Sequence, residues 1–269
     1  MSDTHNESLG SIILHHVTND LNYKFLELHL FGYDISITKH VIMLWIAAAF
    51  TVILAIYGTR RYRKNENAQP KGLSHLYEIL INFIRDDIVI PNIGSSHAKF
   101  WMPLITTYFI FILTCNFLGL IPLFDLIPGG SSTVTGNFNA TAGLAMITFF
   151  AIIIAGTMKH GFLGHWKNMI PGDVPGPVLL ILIPIEILGM FVRPFALTMR
   201  LGGNMTAGHI GMLAIFALPI ILTAAPVGII SILLNIGIYF LEFIISFVQA
   251  YVFTLLSAVF IGMAIHAEH

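Results

Sequence analysis

Cysteine occurs once, at Cys115. A single thiol rules out an internal disulfide and any cysteine-based metal cluster. Charge is scarce: Asp, Glu, Lys and Arg make up 10% of the 269 residues, against about 25% in an ordinary soluble domain. The formal net charge is -1, so the basic footprint of a nucleic-acid-binding protein is missing. The N-terminal stretch has no apolar core behind a basic start, and no cleavable signal peptide is expected. There is no HExxH or other clustered ligand spacing, which leaves a membrane metalloenzyme without support. There is no internal repeat and no low-complexity tract. Three short sequon matches, at Asn6, Asn139 and Asn204, carry no weight, the third lying inside an apolar run.

What is abundant is apolar side chain, 56% of the chain. Its long runs predict an all-α membrane protein forming one integral domain over 1–269. Residues 1–36 are polar and slightly acidic, with His15, His16 and His29. Residues 37–58 form the first span, since about 20 apolar residues cross the hydrocarbon. Arg60, Arg61, Arg63, Lys64 and Lys71 follow it. By the positive-inside rule this loop is cytoplasmic and the N-terminus lies outside.

In 73–90, Leu73, Leu76, Leu80, Phe83 and Ile84 recur at helical spacing among Glu78, Asn82, Arg85 and Asp86. They predict an amphipathic helix at the membrane surface or against a partner helix, stopped by Pro91-Asn92-Ile93-Gly94. The second span is 100–121. The stretch after it has no Lys or Arg and is rich in turn residues, as an external loop should be. The third span is 141–158, with small residues that favour close packing. Lys159 and Lys167 mark an internal loop.

Two apolar runs, 177–216 and 228–264, close the chain. Roughly 40 helical residues at ~1.5 Å each reach about 60 Å, twice the ~30 Å hydrocarbon thickness. Each must tilt strongly, bend or break; Pro184, Pro194 and Gly202-Gly203 are the candidate bending points. The expectation is a long, strongly tilted hairpin, five crossings in all, and a cytoplasmic C-terminus.

Both runs carry polar stripes. An ionised side chain near a bilayer centre costs roughly 2.5–3.5 kcal/mol on insertion scales, so such groups mark ion pathways by default. Glu186, Arg193 and Arg200 stand seven residues apart, which keeps them on one side of a regular helix. Asn204 joins Arg200 at i+4. His209 lies on the opposite side, ~13.5 Å along the axis. In the last run Asn235, Glu242 and Gln249 are again seven apart, with Ser246 four beyond Glu242. Plainer readings exist. Arg193 can anchor structure by snorkelling, Asn116 and Asn235 can be interhelical hydrogen-bond glue, and Gly202-Gly203 can admit a neighbouring helix. Arg200 resists such a reading, because it cannot lose its proton and sits far from either end of its run.

In Arg200-Leu201-Gly202-Gly203-Asn204-Met205, followed by Ala207-Gly208-His209, the chain resembles subunit a of rotary F-type ATP synthases. Glu242 and Gln249 in FLEFIISFVQAYVF, CNFLGLIP in the second span, and the topology of the whole chain carry the same likeness. The resemblance implies a stator subunit beside a rotating ring of carboxyl-bearing c subunits, with two offset aqueous half-channels. It implies proton translocation by Arg200, His209, Glu242, Glu186, Asn204 and Gln249, and a channel lining of Asn116, Asn139, Asn235, Ser246 and Arg193. Among these, His209 and Glu242 fall to the outer half-channel and Glu186 to the inner.

The implied partners are the c ring, peripheral-stalk b subunits, other ATP synthase subunits and lipid, with no cofactor, in a bacterial plasma (inner) membrane. The subunit is expected to be non-catalytic. Two departures stand out: Gly202 occupies a position where many relatives carry Phe, and the pair His209 and Glu242 reverses the Glu-then-His order of some bacterial relatives. A secondary transporter with bent, charged midplane helices is the competing reading, and it predicts the internal repeat that is missing.

Overall fold

A computed structural model describes residues 24–27, 29–30, 33–34, 36–64, 69, 71–121, 124, 133–167, 176–222 and 225–266. The histidine pair His15 and His16, most of the external loop 122–132, the internal segment 168–175 and the end of the chain lie outside the described residues. A short ladder precedes the first long helix, where the sequence suggested only a polar segment. Strands β1 (His29–Leu30) and β2 (Tyr33–Asp34) pair antiparallel, and an isolated bridge joins Leu26 to Ile37.

Helix α1 spans Lys39–Lys64, past the predicted end at 58 and into the arginine-rich segment. Arg and Lys are good helix formers and suit the negative end of the helix dipole. Helix α2 (Leu73–Phe83) runs into a π-helical turn, Ile84–Val89, and a last short turn, α3 (Ile90–Ile93). Gly94 ends it at φ 87, a left-handed backbone that favours glycine. The predicted amphipathic face is therefore divided. Ser74, Tyr77, Ile84, Ile88 and Ile93 are buried, whereas Leu73, Leu76 and Ile79 are exposed. The wider π turn accounts for part of this, because it shifts the facing of every residue beyond it.

Helix α4 is Ser95–Leu120, α5 is Phe138–His160 and α6 is Phe162–Lys167. Helix α7, Gly176–Leu222, has 47 residues, and α8, Ala225–Ile265, has 41. Pro184, Pro194 and Gly202-Gly203 do not interrupt α7. At ~1.5 Å per residue both helices exceed the ~30 Å hydrocarbon layer about twofold, so neither can stand upright in it. Five helices among the described residues are long and apolar enough to cross a membrane. The protein is an all-α, multi-pass membrane protein.

Burial explains why it needs lipid. On α8, Ser231, Asn235, Glu242, Ser246 and Gln249 are buried, while Leu233, Ile236, Phe240 and Ile244 are exposed. On α7, Leu180, Ile181, Leu188 and Phe195 face outward. Polar groups inside and large apolar groups outside would be unfavourable in water and suit a hydrocarbon solvent.

The chain forms two compact units. The first comprises Met1–Phe50, Phe111–Thr141 and Arg200–Gln249. In it Met43 and Ala47 of α1 meet Cys115 of α4 and Val134, flanked by Leu44, Phe111, Leu118, Phe124 and Ala140. Phe117 stacks on Phe243 and meets Phe247 edge-on, and the Tyr239 hydroxyl donates to the Leu120 carbonyl at 2.7 Å.

The second unit comprises Thr51–Ile110, Ala142–Met199 and Ala250–His269. There Phe83 packs on Phe109 and Tyr251. The Thr148 hydroxyl donates to the Tyr108 oxygen at 3.1 Å and lies 3.2 Å from Ser257. The carbonyl of Asn92 presses on Gly262, where a β-carbon would collide with it.

Candidate functional site

The first unit holds most of the polar groups singled out in the sequence. On α8, Ser231, Asn235, Glu242, Ser246 and Gln249 recur at intervals of three, four and seven residues, which places them on one helical stripe. All five are buried. The Asn235 amide donates to the Ser231 carbonyl at 3.1 Å, and the Ser246 hydroxyl to the Glu242 carbonyl at 2.9 Å. These bonds leave Asn235 Oδ1 and both Glu242 carboxyl oxygens without a hydrogen-bond partner among the described residues. A buried carboxyl group in that condition is costly to keep, which marks Glu242 for a role other than stability.

Glycines bring α7 against this stripe. The Glu242 carboxyl lies on Gly208, where a β-carbon would collide with Oε1. The next residue, His209, is turned elsewhere: its Nε2 is 2.6 Å from the Thr133 hydroxyl. Thr133 in turn occupies the space over Gly119 of α4, where a β-carbon would strike its side chain. Gly202 has a local explanation too. A β-carbon there would sit 3.1 Å from the Phe138 ring and 3.2 Å from Thr141 Oγ1. An aromatic ring from the start of α5 already covers the position.

The short 3₁₀ turn Val134–Gly136 ties the elements together. Thr135 donates to Asn116 Oδ1 at 2.7 Å, and the Asn116 amide donates to the Ser246 carbonyl at 3.1 Å. Thr206 of α7 donates to the Gly136 carbonyl at 3.1 Å. Asn116 is wholly buried and links α4, the turn and α8. Asn139, by contrast, is exposed at the start of α5 and does not join this network.

Arg200 and Asn204 point the other way. Both are exposed, as are Ala207 and Ala214. A β-carbon on Gly203 or Gly211 would meet nothing within 4 Å. These residues lie within about one third of the helix circumference. They form an open, small-residue face with one fixed cation, for which no ion-pair or hydrogen-bond partner stands among the described residues. The two remaining charges belong to the second unit. Arg193 pairs with Glu186 at 3.5 Å and lies 5.5 Å over the Phe260 ring. That pair uses the seven-residue spacing read from the sequence. It also separates the arginines, since Arg193 is balanced by Glu186.

Thr133, Thr135 and Thr206 were not among the residues expected from sequence. They stand in or beside a serine- and threonine-rich stretch that reads as loop, where hydroxyls are common. The one available signal was Gly119 in CNFLGLIP, a small residue in a span that leaves room for something.

The comparison with known proteins agrees with this site. The family profile described as ATP synthase A chain matches residues 41–262. ATP synthase subunit a of Chloroherpeton thalassium is 40% identical over 266 residues, covering 95% of this chain and 77% of that one. ATP synthase subunit a 2 of Chlorobaculum tepidum is 42% identical over 268 residues, covering 96% and 74%. ATP synthase subunit a of Anaeromyxobacter dehalogenans is 37% identical over 283 residues, covering 96% and 71%. With most of its length matched in this way, the chain belongs to the ATP synthase A chain family.

Proposed function

We propose that the protein is the non-catalytic, proton-translocating stator subunit of the membrane sector of a bacterial ATP synthase. It loads and unloads the carboxyl groups of a rotating c ring through two offset half-channels. The observation that carries this reading is the division of polar groups in the first unit. Arg200 and Asn204 stand on an open small-residue face, while Glu242, His209, Asn116, Ser246 and Gln249 lie behind it. Small residues allow a second helix to approach closely, as a ring passing Arg200 must.

The energetics fit. Burial in lipid raises a carboxyl pKa by as much as ~3–5 units, so ring carboxyls facing lipid are neutral. A guanidinium at ~4 Å in an effective dielectric of about 20 favours the anion by about 4 kcal/mol, near three units. The two effects are comparable. A carboxyl reaching Arg200 gives up its proton, and one leaving it takes another from the second route. Because the guanidinium cannot be deprotonated, it also bars direct flow. Each proton is driven by ~2.3 kcal/mol per 100 mV, so this barrier preserves the coupling.

His209 and Glu242 serve the outer route, with Asn116, Asn235, Ser246 and Gln249 as polar lining. Glu186 serves the inner one, steadied by Arg193. The N-terminus lies outside and the C-terminus in the cytoplasm, in the plasma membrane. Peripheral-stalk b subunits and lipid cover apolar surface such as Leu73, Leu76 and Ile79 of α2.

The test is Arg200→Ala in the assembled complex. Loss of both ATP-driven proton pumping and proton-driven synthesis is expected. Retained coupling, or ion uptake by the purified chain alone, would overturn the proposal. A small carboxyl-bearing two-helix protein should co-purify with the chain and react with dicyclohexylcarbodiimide.

A further inference from the structure

Thr133 is placed where a threonine usually does something else. It is the N-cap of the 3₁₀ turn Val134–Gly136, with extended backbone at φ -77 and ψ 104. A threonine in that position commonly accepts a hydrogen bond from the turn's own backbone. Here no side-chain capping bond forms. The hydroxyl is turned instead to His209 Nε2, at 2.6 Å, across 76 residues of sequence.

Everything around Thr133 holds it there. Its side chain is fully buried and fills the space left by Gly119. The turn that follows is pinned to α4 through Thr135 and Asn116 and to α7 through the Gly136 carbonyl and Thr206. Its own backbone closes by Gly136 N–H to the Thr133 carbonyl at 3.2 Å. The titratable group on the facing helix α8 is Glu242, whose carboxyl lies on Gly208.

We infer that Thr133 is a positioning residue for proton transfer by His209, and that Gly119 exists to admit it. The inference deepens the outer route proposed above and rests on that reading. A hydroxyl suits the task because it rotates: it donates to Nε2 of a neutral ring and accepts from Nε2–H of the other tautomer or of the cation. One partner thus serves each state of the imidazole while holding the ring in one plane. A second histidine or a carboxylate would favour one state over the others.

The test uses the whole assembled complex in proteoliposomes, with Arg200→Ala as the reference for the general reading. Thr133→Val keeps the shape and removes the hydroxyl, and Thr133→Ser keeps the hydroxyl. Thr133→Val should lower proton flux about tenfold at equal assembly, the usual scale for a lost hydrogen bond to a charged group. Thr133→Ser should restore flux to within about twofold of the parent. Gly119→Ala should reproduce the valine defect while retaining the threonine. Equal flux in Thr133→Val and the parent, or a serine variant as impaired as the valine one, overturns the inference and leaves the Arg200 result standing. Where a variant does not assemble, ¹⁵N-histidine NMR of the unaltered complex decides. A His209 Nε2 resonance shifted by hydrogen bonding supports the placement, and an unbonded one overturns it.

Discussion

The Glu242 carboxyl rests on the backbone of Gly208, in a space where no β-carbon could stand. The acid on α8 therefore reaches the residue next to His209 because position 208 has no side chain. Gly208→Ala should force Glu242 or its helix away. Overpacking of this kind costs about 1–3 kcal/mol. The expected result is reduced assembly and at least a tenfold loss of ATP-driven pumping. Acidification followed with a pH-sensitive dye would measure it, and an unimpaired Gly208→Ala complex would contradict the contact.

Gly202 and Phe138 should be coupled in the same manner. The Phe138 ring covers the position that a larger residue at 202 would need. Gly202→Phe alone should destabilise the subunit by about 1–3 kcal/mol. Combined with Phe138→Gly, it should recover most of that loss. A double-mutant cycle on thermal stability in detergent would give the coupling energy, and simple additivity would show that the two sites do not share space.

Asn116 joins three elements through the Thr135 hydroxyl and the Ser246 carbonyl. Asn116→Ala removes an acceptor from a buried hydroxyl, at a cost of about 1–3 kcal/mol. Lower thermal stability together with slower proton flux is expected. Asn116→Asp should keep the bond from Thr135 but lose the amide donor, so its defect should be intermediate at most in stability. Differential scanning fluorimetry on the purified complex would rank the three.

Outside the membrane spans, Tyr62 provides a pH-dependent contact. Its hydroxyl donates to Glu78 Oε2 at 2.8 Å. That bond, then partial burial and the Glu78 charge, raise the phenol above its ordinary value of 10.0. The folded value exceeds the unfolded one, so the contribution to stability is fully present below about pH 10 and fades as pH rises through the raised value. Spectrophotometric titration of the parent minus Tyr62→Phe should show one tyrosine ionising late. Glu78→Gln should bring it back toward the ordinary range, and a Tyr62 that already ionises there would refute the contact.

Much of the architecture was legible in the chain. Apolar runs too long to stand upright, basic residues confined to alternate loops, and polar groups at seven-residue spacing are one-dimensional patterns. They follow from bilayer thickness and helix pitch, and they marked α7, α8, Glu186 with Arg193, and the Asn235, Glu242 and Gln249 stripe. The amphipathic segment was read less well. Its apolar period ran unbroken through 84, and only the π turn Ile84–Val89 divides the face. Backbone hydrogen-bond register leaves no such mark in side-chain periodicity.

What the sequence determined by itself is the membrane-spanning helical form and the one arginine that no plain structural reading absorbs. Both depend on local quantities, side-chain polarity and position along a helix. Only the tertiary structure decided which groups meet. It set Thr133 on His209, Glu242 on Gly208 and Phe138 on Gly202, and it left Asn139 exposed. Those contacts join residues far apart in the chain through close helix approaches at glycine. A glycine in sequence says that space is available; the packed helices determine what fills it.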